Sequence, residues 1–500
     1  MRLKRNLLVS LGSSVWSAAI GIAVVPLYLK YLGVEAYGLI GLLGTVQAMF
    51  SLLDLGLAPA INREVATART PRDSEAVREL LHTLTYVYWF TGVLIVCVTT
   101  LLAPLVARHW IQSSLVSDET ITTSVMLMGL VVACRWPIAL YLGVIIGAER
   151  FVLSSAIAVL MTSASSLGAV VILAVTEPRI ESVFAWQAFV GLLYAFAMRH
   201  AAWAVLGRVS RRVFSLPALR RVWRFSAGLS GIAMSALLLT QVDKVVLSRA
   251  LSLLDFAQYS IATIVASGLY LLITPTFNIA YPRFTALKAA GDAQALEHAF
   301  RLGTRVFAMF LATVAMLLAV FAGDLVRLWT GNAGLALTIA PVVALLAVGV
   351  TLHGVMFFPY ALQLAHGKTR LPLTINMVLI VLAVPLMAFL TWQFKLIGGA
   401  MASVALFGTY LLLGTWMSHL ELPELIDLRW LTRDVLMPLG TALLVGLLGS
   451  QALASAEWPP VGKVLLAIAL AASSLALALL TAPSQTVSEL WLRQVHPQRH

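Results

Sequence analysis

Residues 121–148 read ITTSVMLMGLVVACRWPIALYLGVIIGA. The run exceeds the ~20 apolar residues that one helix needs to cross a bilayer. Its only charged residue, Arg135, stands at the midpoint. A charge there costs ~2.5–3.5 kcal/mol even on the lenient insertion scale, and position 135 is too deep for easy snorkelling. Trp136 and Pro137 follow at once, and a proline removes a backbone hydrogen bond where the charge sits. A charge at such a place reads first as a functional group facing a protein cavity. An arginine that snorkels or pairs with a neighbouring helix is the plainer alternative.

The whole chain shares this apolar character. Of its 500 residues 60% are hydrophobic and 11% charged, and the mean hydropathy is +0.92. Soluble domains carry roughly 25% charged residues, so this is a polytopic, all-α membrane protein. The net charge of +12 does not point to nucleic acid. The basic residues lie between apolar segments, where they set topology and meet lipid headgroups. Cys97 and Cys134 both fall inside apolar segments, which excludes a disulfide framework or a zinc site. No metal and no cofactor is expected. MRLKRN followed by an apolar run from Leu7 mimics a signal peptide. The run is too long and lacks a small-residue cleavage site, so it counts as the first span.

Fourteen apolar segments are expected, at 7–29, 37–60, 83–107, 121–148, 152–175, 183–206, 226–248, 257–279, 302–322, 334–364, 371–393, 397–418, 435–453 and 461–482. Lys and Arg concentrate on one side if both termini are cytoplasmic. The most basic stretch, Arg199–Arg224, reads as a topology anchor and as a boundary between halves. The organisation that follows is an N-terminal six-helix lobe (1–206), a basic linker (207–224), a C-terminal six-helix lobe (225–420), and two extra helices with a tail (421–500).

The halves look related. Four landmarks recur at a nearly constant spacing along the chain: Tyr37 with Tyr259, Arg63 with Arg283, Trp110 with Trp329, and Tyr141 with Tyr360. Six helices separate the copies, an even number, so the expected architecture is a pair of parallel repeats around a central cavity. The same spacing matches Arg135 to His353. Two such groups facing one cavity would suit an anion; a hydrogen-bonded packing histidine is the equal alternative for His353.

Other polar residues fall on helix faces. Ser10, Ser14, Ser17 and Gly21 share one face of the first span; Ser230, Gln241 and Lys244 lie near one face of the seventh. Such stripes serve more often in helix packing than in lining a cavity. Asp54 and Asp243 are candidates for ion pairing or ion coupling, with a structural ion pair favoured for Asp54. Gly143 and Gly147 form a GxxxG packing pair. Gly367-Lys368-Thr369 ends like a phosphate-binding loop, but Leu362 stands where that loop needs glycine. No catalytic signature stands in an outer loop.

YLGVEAYG, LLDLGLAPAINREVA, QVDKVVLSRALSLLDFAQYS, LVRLWTG and LAHGKTR, taken in order, resemble the oligosaccharide flippases of the polysaccharide-export family, within the multidrug/oligosaccharidyl-lipid/polysaccharide exporter superfamily. The resemblance covers segments one to twelve. It implies a transporter of twelve or fourteen helices with two six-helix lobes around a V-shaped cavity. It also implies transfer of undecaprenyl-diphosphate-linked oligosaccharide from the cytoplasmic to the periplasmic leaflet of a bacterial inner membrane by alternating access. That would serve O-antigen, lipopolysaccharide or exopolysaccharide synthesis, beside a polymerase and glycosyltransferases of the same pathway. The family carries cationic residues in its cavity, and Arg135 is the best match, with His353 and Lys244 assisting. The arginine cluster that peptidoglycan-precursor flippases place on their first two helices has no clear counterpart here, and the first helix carries serines instead, which disfavours the peptidoglycan precursor as substrate. The last two helices could form a lateral groove for the lipid tail. The alternatives are a cation-coupled multidrug exporter of the sister family, a membrane-embedded glycan polymerase or ligase, and a non-transporting scaffold.

Overall fold

The computed structural model describes residues 2–68, 70–207, 214–455 and 458–480. Arg208, Arg211 and Arg212 of the basic stretch, the tail after Leu480 and the side chain of Ser230 lie outside the described residues. The chain is all-helical and divides into two compact units, Met1–Ala257 and Gln258–His500.

The first unit holds α1 (Arg2–Ser51), a 3-10 turn (Leu52–Asp54), α2 (Leu57–Thr67), α3 (Pro71–His109), α4 (Asp118–Arg135), α5 (Ile138–Gly147), α6 (Phe151–Val175), α7 (Ile180–Leu206) and α8 (Leu216–Ala250). The boundary falls inside α9 (Leu253–Ser267). The second unit continues with α10 (Tyr270–Ala289), α11 (Ala293–Val320), α12 (Ala322–Thr330), α13 (Ala333–Val355), α14 (Phe357–Ala365) and α15 (Arg370–Glu421). A π-helical turn (Trp430–Leu436), α16 (Met437–Ala454) and α17 (Pro460–Leu480) complete it.

Two helical runs are too long for one crossing. At 1.5 Å per residue the 50 residues of α1 would reach about 75 Å, two and a half times the ~30 Å hydrocarbon core. The run is broken at Gly33, whose φ of 79° suits a residue without a Cβ. Tyr28 and Tyr37, on either side of the break, line one cavity, so the chain turns back there. The 52 residues of α15 break at Lys395, a non-glycine held at φ 52°. A Cβ on Gly398 would stand 2.0 Å from the Leu390 carbonyl oxygen, so the two arms touch beside the turn and position 398 admits only glycine.

Among the described residues ten helices are long and apolar enough to span, or eleven if the bent pair α9–α10 is one span. Because α1 and α15 each contain two expected segments, these account for every expected segment except the seventh, which lies within α8.

The elements repeat in order, and their starts keep nearly the same spacing along the chain. α3 begins at Pro71 and α11 at Ala293; α5 begins at Ile138 and α14 at Phe357; α6 begins at Phe151 and α15 at Arg370. Even the caps recur. Thr70 and Asp73 close a capping box on α3, and Asp292 accepts from Ala295 N at 2.9 Å to start α11.

The first unit packs α2, α3, α5 and α7 around Ile61, Leu80, Leu84, Tyr141, Val144 and Met198. Gly143 and Gly147 let α5 approach α2: a Cβ on either would sit 2.6 or 2.5 Å from a carbonyl oxygen of Ala58 or Asn62. The buried Glu35 clasps the α3–α4 connection, accepting from Ser113 Oγ at 2.6 Å, Ser114 N at 2.9 Å and Leu115 N at 3.3 Å.

Candidate anion site in the first unit

The expected single helix over 121–148 is two helices. α4 ends at Arg135, Trp136 and Pro137 form the corner, and α5 starts at Ile138. Pro137 has no N–H to return to the Ala133 carbonyl, which is why the helix stops there. The corner separates its two large side chains. Trp136 packs on the α2–α3–α5–α7 core beside Tyr88, with ring centroids 5.9 Å apart. Arg135 turns into a cavity of about 310 Å³.

That cavity is built from α1, α4, α5, α6 and α7. Arg135 Nη2 donates to Ser165 Oγ on α6 at 3.1 Å and to Gln187 Oε1 on α7 at 3.4 Å. Gly191, one turn beyond Gln187, makes room for the side chain; a Cβ there would meet Arg135 Cγ at 3.1 Å. Tyr28 closes the α1 side and donates to the Ser166 carbonyl at 3.4 Å. No acidic residue lines the cavity, and among the described residues the guanidinium has only neutral partners. A half-buried cation with neutral partners and open volume beside it leaves room for an anion.

The other expected site residues fall elsewhere. His353 belongs to the second unit and lines no part of this cavity. It is buried near the end of α13, takes a 2.7 Å hydrogen bond with Tyr270 on Nδ1, and stacks on Phe407 with centroids 4.6 Å apart. Phe357 and Tyr410 complete its surroundings. Of the two even readings of His353, these surroundings fit the hydrogen-bonded packing histidine. Lys244 donates to Gln241 on its own helix at 3.3 Å, and neither lines the cavity. Asp243 is half-buried on the same helix.

Among the described residues Asp54 forms no ion pair. Its carboxylate accepts from the Tyr88 hydroxyl and from Ala58 N at 3.3 Å. It thereby caps α2, where backbone N–H groups take the part of a cation. The serine stripe of α1 also differs from expectation. Ser14 bonds back to the Ser10 carbonyl at 3.1 Å, and Ser10, Ser14 and Ser17 stay outside the cavity. Ser13 and Trp16 make the contacts to α6, at Ser155 (3.2 Å) and Ser163 (2.9 Å). Gly21, the last member of the stripe, is the one that reaches the cavity.

Sequence reasoning missed Ser165, Gln187 and Tyr28. Gln187 offered a signal, since an amide within an apolar span is costly unless satisfied. It also missed a second arginine. Arg305 on α11 is buried and donates through Nε to Asp434 Oδ1 at 2.8 Å. Arg301, one turn earlier, bonds Glu297 at 2.9 Å and Asp427 at 3.2 Å. Burial pushes the Asp427 carboxyl up, but the Trp430 N–H and Arg301 outweigh it and hold the group below the usual range. Trp430 stacks on Phe300, centroids 5.6 Å apart. This clamp fastens the π-helical turn ahead of α16 to α11.

Comparison with known proteins follows the same lines. The family described as "Polysaccharide biosynthesis protein" matches residues 3–288. No curated protein matches. Among solved structures, the lipid II flippase MurJ in an inward closed conformation superposes with a TM-score of 0.72 at 11% identity, covering 98% of this chain and 99% of its own. An inward-facing multidrug resistance MATE family transporter of the MOP superfamily gives 0.65 at 15% identity, covering 83% and 99%. At these identities the likeness is one of fold.

Proposed function

The chain belongs to the polysaccharide biosynthesis protein family, and on that premise we propose that it is a flippase for lipid-linked oligosaccharide. It moves undecaprenyl-diphosphate-linked glycan from the cytoplasmic to the periplasmic leaflet of a bacterial inner membrane, with both termini cytoplasmic, for surface polysaccharide synthesis. The carrying observation is the Arg135 guanidinium, held by neutral partners beside open volume. A diphosphate is the part of such a substrate that needs a cation, and a charge-assisted hydrogen bond is worth ~1.5–3 kcal/mol. Flipping makes and breaks no covalent bond, which suits a chain without a catalytic motif. Translocation proceeds by alternating access.

The lipid tail has its own support. An almost wholly apolar groove of about 650 Å³ runs between α11, α13 and α16, lined by Met316, Leu345, Val348, Leu439 and Leu443 among others. It lies where α16, the first of the extra C-terminal helices, packs on α11. An exporter of cationic drugs would instead want a carboxylate in the Arg135 cavity, and none lines it.

Reconstituted flipping of a fluorescent lipid-linked glycan tests the proposal. Arg135→Ala should slow translocation about 10- to 100-fold, and Arg135→Lys should retain part of it. Wild-type rates in Arg135→Ala would overturn the assignment.

A further inference from the structure

In the second unit an aromatic series leads from the buried His353 out to the surface of α10. His353 meets Phe357 at 5.3 Å, Phe357 meets Phe277 at 5.7 Å, and Phe277 lies nearly parallel to both Tyr360 (5.4 Å, 15°) and Tyr281 (5.9 Å, 4°). Tyr281, at the outer end, is 36% exposed. Thr274, Asn278 and Tyr281 follow one another at spacings of four and three, so they share a face of α10, and all three are exposed.

That face is unusual for a spanning helix. Among the described residues neither Thr274 nor Asn278 uses its side chain in a hydrogen bond. Pro282 also lacks the N–H that would close the helix onto the Asn278 carbonyl, leaving a further acceptor at the same place. Unsatisfied amide and carbonyl groups facing acyl chains would cost several kcal/mol (~2–7 each without a partner). The polar face ends at the exposed Leu271, one turn before Thr274, and the exposed Ile279 turns a different side of the helix outward. The Thr274–Asn278–Tyr281 face is therefore wet.

Flat aromatic surface beside unpaired amide and hydroxyl groups is the chemistry that binds a sugar ring. The axial C–H face of a pyranose stacks on an aromatic ring, and its hydroxyls bond to the flanking polar groups. We propose that Tyr281, backed by Phe277 and Tyr360, is a stacking platform for a hexopyranose ring of the transported glycan, with Asn278 and Thr274 bonding its hydroxyls. This deepens the flippase reading and rests on it.

The full chain in lipid nanodiscs is titrated with two probes, undecaprenyl diphosphate carrying one N-acetylglucosamine and undecaprenyl diphosphate without sugar. The wild type should bind the sugar-bearing lipid more tightly. Tyr281→Ala should weaken that binding roughly three- to tenfold, the range of one aromatic contact, and leave the bare lipid unaffected; Tyr281→Trp should keep the preference. Equal wild-type affinity for the two lipids, or an equal loss on both in Tyr281→Ala, overturns the sugar platform and leaves the flippase reading standing. Failure of the wild type to bind either lipid overturns both.

Discussion

Arg135 and Arg305 are both arginines inside spanning helices, and they have opposite surroundings. Arg305 is locked to the carboxylate of Asp434, with Arg301, Glu297 and Asp427 extending the pairing. Among the described residues Arg135 hydrogen-bonds only to a hydroxyl and an amide oxygen, beside a cavity. A guanidinium closed by a carboxylate has finished its chemistry and serves the fold. One that remains uncompensated costs stability, and that cost persists where a ligand makes it good. The same contrast holds between the two helix breaks. α4–α5 and α13–α14 break at corresponding points of the repeat, yet the first carries Arg135, Ser165 and Gln187 and the second carries His353, Phe357 and Phe407.

The largest effect should come from the paired arginine. Arg305→Ala leaves the buried Asp434 with the longer contact to Arg301 at 3.9 Å, and breaking a buried pair costs up to ~3–5 kcal/mol. Thermal unfolding in nanodiscs should show a marked drop, whereas Arg135→Ala should match or exceed the wild-type midpoint while losing transport. Equal destabilisation by both would erase the distinction between them. A smaller effect tests the missing counter-charge directly. Gln187→Glu places a carboxylate within reach of Arg135 and turns it into a second Arg305. Flipping should fall, by about tenfold on the lower estimate for a charged contact, with the midpoint held or raised. Unchanged flipping in Gln187→Glu would show that the open cation is not what the substrate reads.

Arg135 was legible in sequence because a lone charge in an otherwise uncharged span has no ordinary explanation. Its partners were not, because Ser165 and Gln187 lie on other helices and reach it only through packing. The internal repeat matched Arg135 to His353, where α4–α5 and α13–α14 break, but no break was expected in either span and the repeat carried no information about side-chain surroundings. Phe407 and Tyr410 enclose His353, and nothing near position 353 announces them. The face of the first helix was legible from angle alone, which does not suffice. Ser13 and Trp16 sit on the side that α6 covers, and only the position of α6 decides that. The reversals at Gly33 and Lys395 were bracketed by charged or polar residues and so were visible as gaps between segments. Arg305 escaped notice because it lies only a few residues inside the expected ninth span, where a basic residue looks like a boundary marker.

Glu35 gives one end of the first unit, where α3 joins α4, a mechanical character. One carboxylate gathers the amides of Ser114 and Leu115 and the hydroxyl of Ser113. The corner after Gly33 and the strap joining α3 to α4 are thus riveted together. Hinging at that rim would have to tear several charge-assisted bonds at once, so these amide protons should be among the slowest to exchange with deuterated solvent outside the hydrocarbon layer.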